Sequence, residues 1–167
     1  MKEIALTAVQ KVEIIDSNTP QITKPNEVLI KVKKVTLCGS DITYFNRKTL
    51  PYDLRYPIVL GHEVSGEIID VGAQVDSLKK GDRVSVEPQY YCGNCSYCQR
   101  GLYQFCEHSY FLAGHGYPGA LKEYLVWDYK SVHKLPDSLS YESGALLEPM
   151  SVAYSGIKKI MFKKLKQ

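Results

Sequence analysis

The sequence predicts a mainly β domain with a few short helices and a cysteine-rich lobe. Three observations predict it. In EVLIKVKKVTL (27–37), Val28, Ile30, Val32 and Val35 stand among lysines, though not in strict alternation, as on a half-buried strand. Glycines punctuate an aliphatic segment at 63–72, where strands turn or approach one another. Four cysteines fall between 92 and 106, too close together for an ordinary core.

Taken in order, KEIALTAV, VEIID and EVLIKVKKVTL read as two or three strands, with Pro20 and Pro25 marking connections. Helices are expected only in short segments near 40–48 and in the stretch from about 140 onward. EVSGEIIDV, carrying Gly66 and Gly72, runs through Val75 to a Gly81-Asp82 turn, a strand–turn–strand unit. ALKEYLVWD and SVHKLP (120–136) are two further short strands. Leu135-Pro136-Asp137 opens a capped helical region that contains Glu148. The final SVAYSGIKKIMFKKLKQ is helical, with Val152, Ile157, Ile160, Met161 and Leu165 as its apolar positions. Gly114-His115-Gly116-Tyr117-Pro118-Gly119 spells G-x-G-x-x-G. A dinucleotide fingerprint needs a strand before it and a helix after it, and here a strand-like run follows.

A length of 167 residues suits one domain, and 44% hydrophobic with 23% charged residues is an ordinary soluble composition. The net charge of +3 is too small and scattered to imply nucleic acid. Lys33-Lys34 and Lys79-Lys80 read as solvated faces. No apolar run approaches the ~20 residues of a membrane span, and the N-terminus lacks a secretory apolar core. The reducing cytoplasm is the expected compartment, where clustered cysteines hold metal more often than they form disulfides.

Cys92, Cys95, Cys98 and Cys106 form C-x2-C-x2-C-x7-C, with Gly93 and Asn94 supplying turn chemistry between the first two. Such spacers bring sulfurs to one point, and four protein ligands make a closed, structural zinc site. A redox or disulfide role fits less well, because three cysteines share one spacing and the total of five is odd. Spacing alone leaves an iron–sulfur cluster open.

Cys38, His62 and Glu63 are also metal-competent. Singly, each reads as a buried thiol, a core histidine or a surface glutamate. Together with the run Gly61-His62-Glu63-x2-Gly66-x5-Gly72-x2-Val75 and the lobe downstream, they resemble the zinc-containing medium-chain alcohol dehydrogenases. The sorbitol and polyol dehydrogenase branch is the most similar.

The resemblance implies a GroES-like, partly open antiparallel β-barrel over residues 1–167, with a structural zinc lobe at 88–110. A C-terminal helical segment, 140–167, would lead to a nucleotide-binding Rossmann domain absent from these residues. It implies Cys38, His62, Glu63 and Glu148 at a catalytic zinc, with Ser40 accepting the substrate's proton and Tyr44 touching substrate. Thr43 departs from the pattern, since many relatives place a relay histidine there. The implied activity is oxidation of a polyol or secondary alcohol to a ketone, with NAD or NADP bound only by the missing half. These residues alone are expected to be inactive and to form a homo-oligomer. Two alternatives stand: a zinc-binding GroES-like module without turnover, and a threonine or sugar-phosphate dehydrogenase fragment.

Overall fold

Strands β1 (Lys2–Ala8) and β2 (Lys11–Asp16) form a hairpin that pairs Ile4 with Ile14 and Leu6 with Val12. The short β4 (Ile58–Val59) lies on the other side of β1 and completes a three-stranded sheet, β2-β1-β4. The structure, a computed structural model, describes residues 1–47, 54–114 and 117–164, with side chains to 160.

A second sheet carries the main core. It comprises β3 (Glu27–Thr36), β5 (Glu63–Val71), β6 (Arg83–Val86), β9 (Tyr124–Asp128) and β10 (Val132–Lys134), in the order β10-β6-β5-β3-β9. Every strand pairing among the described residues is antiparallel, and the sheets stay open rather than closing into a barrel. The irregular alternation in β3 has a structural cause. Val32 pairs with Gly66 but Lys34 pairs with Ser65, so Lys33 is an extra residue and the side-chain phase resets before Val35. Val28, Ile30, Val64, Ile68, Val84, Val86 and Trp127 fill the core beneath this sheet. Leu6, Leu54, Ile58, Leu60 and Ala113 form a second cluster. Gly66 and Gly72 stand where the sequence requires close approach: a Cβ on Gly66 would come 2.5 Å from the Lys31 carbonyl oxygen, and one on Gly72 would strike that of Pro25.

Helix α1 (Gly39–Asn46) matches the expected segment near 40–48; residue 48 lies outside the described residues. The cysteine lobe rises from a two-stranded base, β7 (Gln89–Tyr90) with β8 (Tyr110–Phe111), and contains a helical turn, α2 (Ser96–Gln99), outside the two stretches to which the sequence confines helices; four residues are too few to show a helical period. Tyr110 stacks between Tyr90 and Tyr117 at 4.3 and 4.2 Å, and Trp127 meets Tyr110 edge-on, which fastens the lobe base to β9.

Helix α3 (Tyr141–Ala145) docks on β5 and β6. The Ser65 hydroxyl donates to the Tyr141 carbonyl (2.6 Å), and the Arg83 guanidinium lies 4.6 Å from the Tyr141 ring while donating to the carbonyls of Asp137 and Leu139. This sets the start of α4 (Leu147–Lys164), whose Val152, Ile157 and Ile160 are exposed as its sequence suggests; the Met161 side chain and Leu165 lie outside the described residues. No described helix is long and apolar enough to cross a membrane.

The G-x-G-x-x-G string opens no helix. His115 and Gly116 lie outside the described residues. Gly119, Ala120 and Leu121 donate backbone hydrogen bonds to Val59, Gly61 and Leu60, and the chain then enters β9.

Candidate metal centres

In the lobe, one ligand atom from each of Cys92, Cys95, Cys98 and Cys106 lies within 4.8 Å of the others. The Cys92–Cys106 sulfurs are 3.5 Å apart and the Cys95–Cys106 sulfurs 3.9 Å. A disulfide would need about 2.0 Å. A tetrahedron with metal–sulfur arms of ~2.3 Å has edges of about 3.8 Å, so this spacing fits zinc. Backbone amides already point at the sulfurs: Cys92 and His108 donate to Cys106, and Cys95 donates to Cys92. Backbone donors from Cys98 and Glu107 pull the Cys95 thiol down to about 6. Burial and the three neighbouring thiols push Cys98 up to about 12. Four sulfurs gathered at one point, with backbone N–H groups aimed at Cys92 and Cys106, are a donor set suited to a cation between them.

The second centre is built from three separate pieces of chain. Cys38 caps α1, His62 follows the turn that leaves β4, and Glu63 begins β5. Their ligand atoms also lie within 4.8 Å of one another, with His62 and Glu63 buried. Gly61 makes the approach possible. Its φ of +85° suits glycine, and a Cβ there would stand 2.8 Å from Val35. Glu63 and Thr36 are register partners across β5 and β3, and the Thr36 hydroxyl donates to the Glu63 carboxylate. The His62 ring meets Phe111 edge-on at 5.2 Å. A buried carboxylate beside a thiol and an imidazole, with one hydroxyl donor of its own, is a donor set suited to a divalent cation.

Asp41 holds these pieces together, and the sequence reading did not single it out. It is 2% exposed. One carboxylate oxygen accepts the Cys38 N–H (2.9 Å) and the other accepts the Gly61 N–H (3.0 Å). An acidic residue three places after a helix cap is a recognisable capping-box signal, and it could have been found that way.

Glu148 stands apart from the close trio of Cys38, His62 and Glu63. Burial raises its carboxyl above the ordinary range; His62 pulls it down and Glu63 pushes it further up, so all three share one field. Ser40 sits half-buried in the first turn of α1, two residues after Cys38. Tyr44, one turn on, packs against the second apolar cluster. The Thr43 hydroxyl donates to the Gly39 carbonyl (2.9 Å) within its own helix.

A family model described as the alcohol dehydrogenase GroES-like domain matches residues 24–137. A sorbitol dehydrogenase of Bacillus subtilis is 43% identical over 153 residues, covering 91% of this chain and 43% of the relative. A D-xylulose reductase A of Aspergillus niger is 37% identical over 155 residues, covering 92% of this chain and 43% of its own length. Among solved structures, galactitol-1-phosphate dehydrogenase from Escherichia coli superposes with a TM-score of 0.84 at 36% identity, covering 91% of this chain and 43% of that one. For 2R,3R-butanediol dehydrogenase from Bacillus subtilis the TM-score is 0.80 at 36% identity, covering 94% and 46%. The chain thus spans less than half the length of the relatives it matches.

Proposed function

Because this chain belongs to the alcohol dehydrogenase GroES-like domain family, we propose that it is the catalytic portion of a zinc-dependent, nicotinamide-linked dehydrogenase oxidising a polyol or secondary alcohol to a ketone. Residues 1–167 would form its GroES-like domain, with a structural zinc lobe at 88–110 and a helical segment at 140–167 leading toward a nucleotide-binding domain. The meeting of Cys38, His62 and Glu63 from three elements carries the reading. The names of the relatives, which act on sorbitol, xylulose and butanediol, support the substrate class.

Zinc bound at this trio supplies Lewis-acid polarisation of an alcohol oxygen, and a nicotinamide supplies the hydride acceptor. Cys38, as thiolate, and His62, as neutral imidazole, would hold the metal, with Glu63 as a third donor or close support and Glu148 within electrostatic reach. Ser40 takes the substrate's proton from beside Cys38. With the Thr43 hydroxyl engaged in its helix, that proton passes from Ser40 to water. Tyr44 contacts the substrate. We read the exposed Val152, Ile157 and Ile160 on α4 as a self-association surface, and the five free thiols as suited to the reducing cytoplasm.

Metal analysis tests the reading. Purified protein should carry two zinc ions per chain. Cys98→Ser should remove one, and Cys38→Ser or His62→Ala the other. Zinc content unchanged by Cys38→Ser would overturn the catalytic assignment.

A further inference from the structure

We propose that the cleft beside Phe111 and Glu148 is a second subsite of the active centre, where Glu87, steadied by His133, binds the distal hydroxyls of a polyol. The proposal rests on the alcohol-oxidation reading and names the part of the site that would tell a polyol from a simple alcohol. The cleft has a volume of about 490 Å³, within the range of small-molecule sites. Glu87, Gln89, Phe111, His133, Glu148 and Ser151 line it, drawn from the β6–β7 run, β8, β10 and α4. Two of them join it to the metal trio. Phe111 packs edge-on against His62, and Glu148 lies in the field of His62 and Glu63.

Glu87 is placed rigidly and left with capacity to spare. Its N–H donates to the Ser131 carbonyl (2.8 Å), and its own carbonyl accepts the Trp127 indole N–H (3.0 Å), so its backbone cannot drift. Its side chain is 33% exposed, and among the described residues its carboxylate has one hydrogen-bond partner, His133 at 3.5 Å. The other polar groups are more fully used: the Gln89 amide donates to the Gln104 carbonyl (3.3 Å), and the Ser151 hydroxyl to the Glu148 carbonyl (2.7 Å). A carboxylate accepts several hydrogen bonds at once, and neighbouring hydroxyls of a polyol are donors spaced to share one carboxylate. A monohydric alcohol carries no second hydroxyl to offer this carboxylate, so only a polyol gains these added hydrogen bonds.

The test uses the zinc-loaded chain, with sorbitol and isopropanol as probes. The ring resonance of His133, identified by its loss in His133→Gln, reports on the cleft. Cobalt placed at the Cys38 centre reports alcohol binding there through its absorption band. Sorbitol should shift the His133 signal saturably and isopropanol should not. Glu87→Gln should weaken sorbitol binding roughly tenfold, the scale of one lost hydrogen bond to a charged group, without changing the cobalt response to isopropanol. If sorbitol perturbs the cobalt band with His133 unmoved, or if Glu87→Gln binds sorbitol as the parent does, the subsite is refuted. If His133 responds to sorbitol but the cobalt band responds to neither alcohol, the cleft binds polyols without belonging to a metal centre, and the reading it rests on fails. If neither reporter responds, both fail.

Discussion

The two oxygens of the Asp41 carboxylate accept backbone N–H groups from Cys38 and from Gly61, so one buried side chain sets the separation of two proposed zinc ligands. Asp41→Asn keeps the shape but turns an N–H₂ group toward an N–H donor. It should lower folding stability by about 1–3 kcal/mol, read from a urea midpoint. It should also weaken zinc at the Cys38 centre about 10–100-fold, the usual cost of losing such support, while leaving the lobe zinc alone. Competition with a chromophoric chelator separates the two ions, and equal weakening of both would show that Asp41 acts only on global folding. The ligand types at this centre were legible as motif residues, because cysteine, histidine and glutamate beside glycines carry their chemistry in their identity. Their support was legible only in part: a capping box ties Asp41 to the Cys38 amide but not to Gly61. Asp41 acts through backbone groups twenty residues away, at Gly61, and nothing in the local pattern says which amides a buried carboxylate will meet.

At the scale of elements, strands with regular alternation were legible, and the two-residue strands β4, β7 and β8 were not, since a period cannot be seen in so short a run. The lysine pair in β3 blurred its alternation because a bulge inserts a residue there, a feature set by pairing with β5 rather than by β3 itself. The lobe gives an element-scale prediction. Its four proposed ligands lie within residues 92–106, while the Tyr90–Tyr110–Tyr117 stack anchors its base to a core cluster without cysteine. Chelation, or Cys98→Ser, should therefore speed amide exchange across 92–106 and leave β3 and β5 protected. Loss of protection throughout the large sheet would mean that metal and core fold as one unit. Helix α3 offers a pH prediction. The Lys34 ammonium, 2.8 Å from Glu142, holds that carboxyl down to about 2. A depressed folded-state value means the contribution is present above the ordinary 4.5 and is lost as pH falls through about 2. Glu142→Gln should thus lower the melting temperature slightly at pH 7, and the difference should shrink below pH 4.5 and vanish near pH 2. A difference that persisted in strong acid would assign the effect to packing instead of charge.

For the whole molecule, the decisive property is the antiparallel character of every sheet among the described residues. A dinucleotide site needs a parallel strand, a glycine turn and a helix whose N-terminus faces the pyrophosphate. No such unit occurs among the described residues, and the one G-x-G-x-x-G string is followed by residues that pair with Val59, Leu60 and Gly61 before β9. Hydride transfer demands that donor and acceptor carbons be held about 3–3.5 Å apart, and that placement cannot come from a surface without a nucleotide cradle. A polypeptide of residues 1–167 should therefore show no saturable change in NADH fluorescence and no alcohol-dependent NAD reduction, even when fully loaded with zinc. Joined to the nucleotide-binding portion of a relative such as the Bacillus subtilis sorbitol dehydrogenase, it should gain zinc-dependent oxidation of a polyol, and Cys38→Ser or His62→Ala should abolish the gain. Two results would count against this division of labour: NADH bound at micromolar concentration by the isolated polypeptide, or turnover in the chimera that survives loss of Cys38.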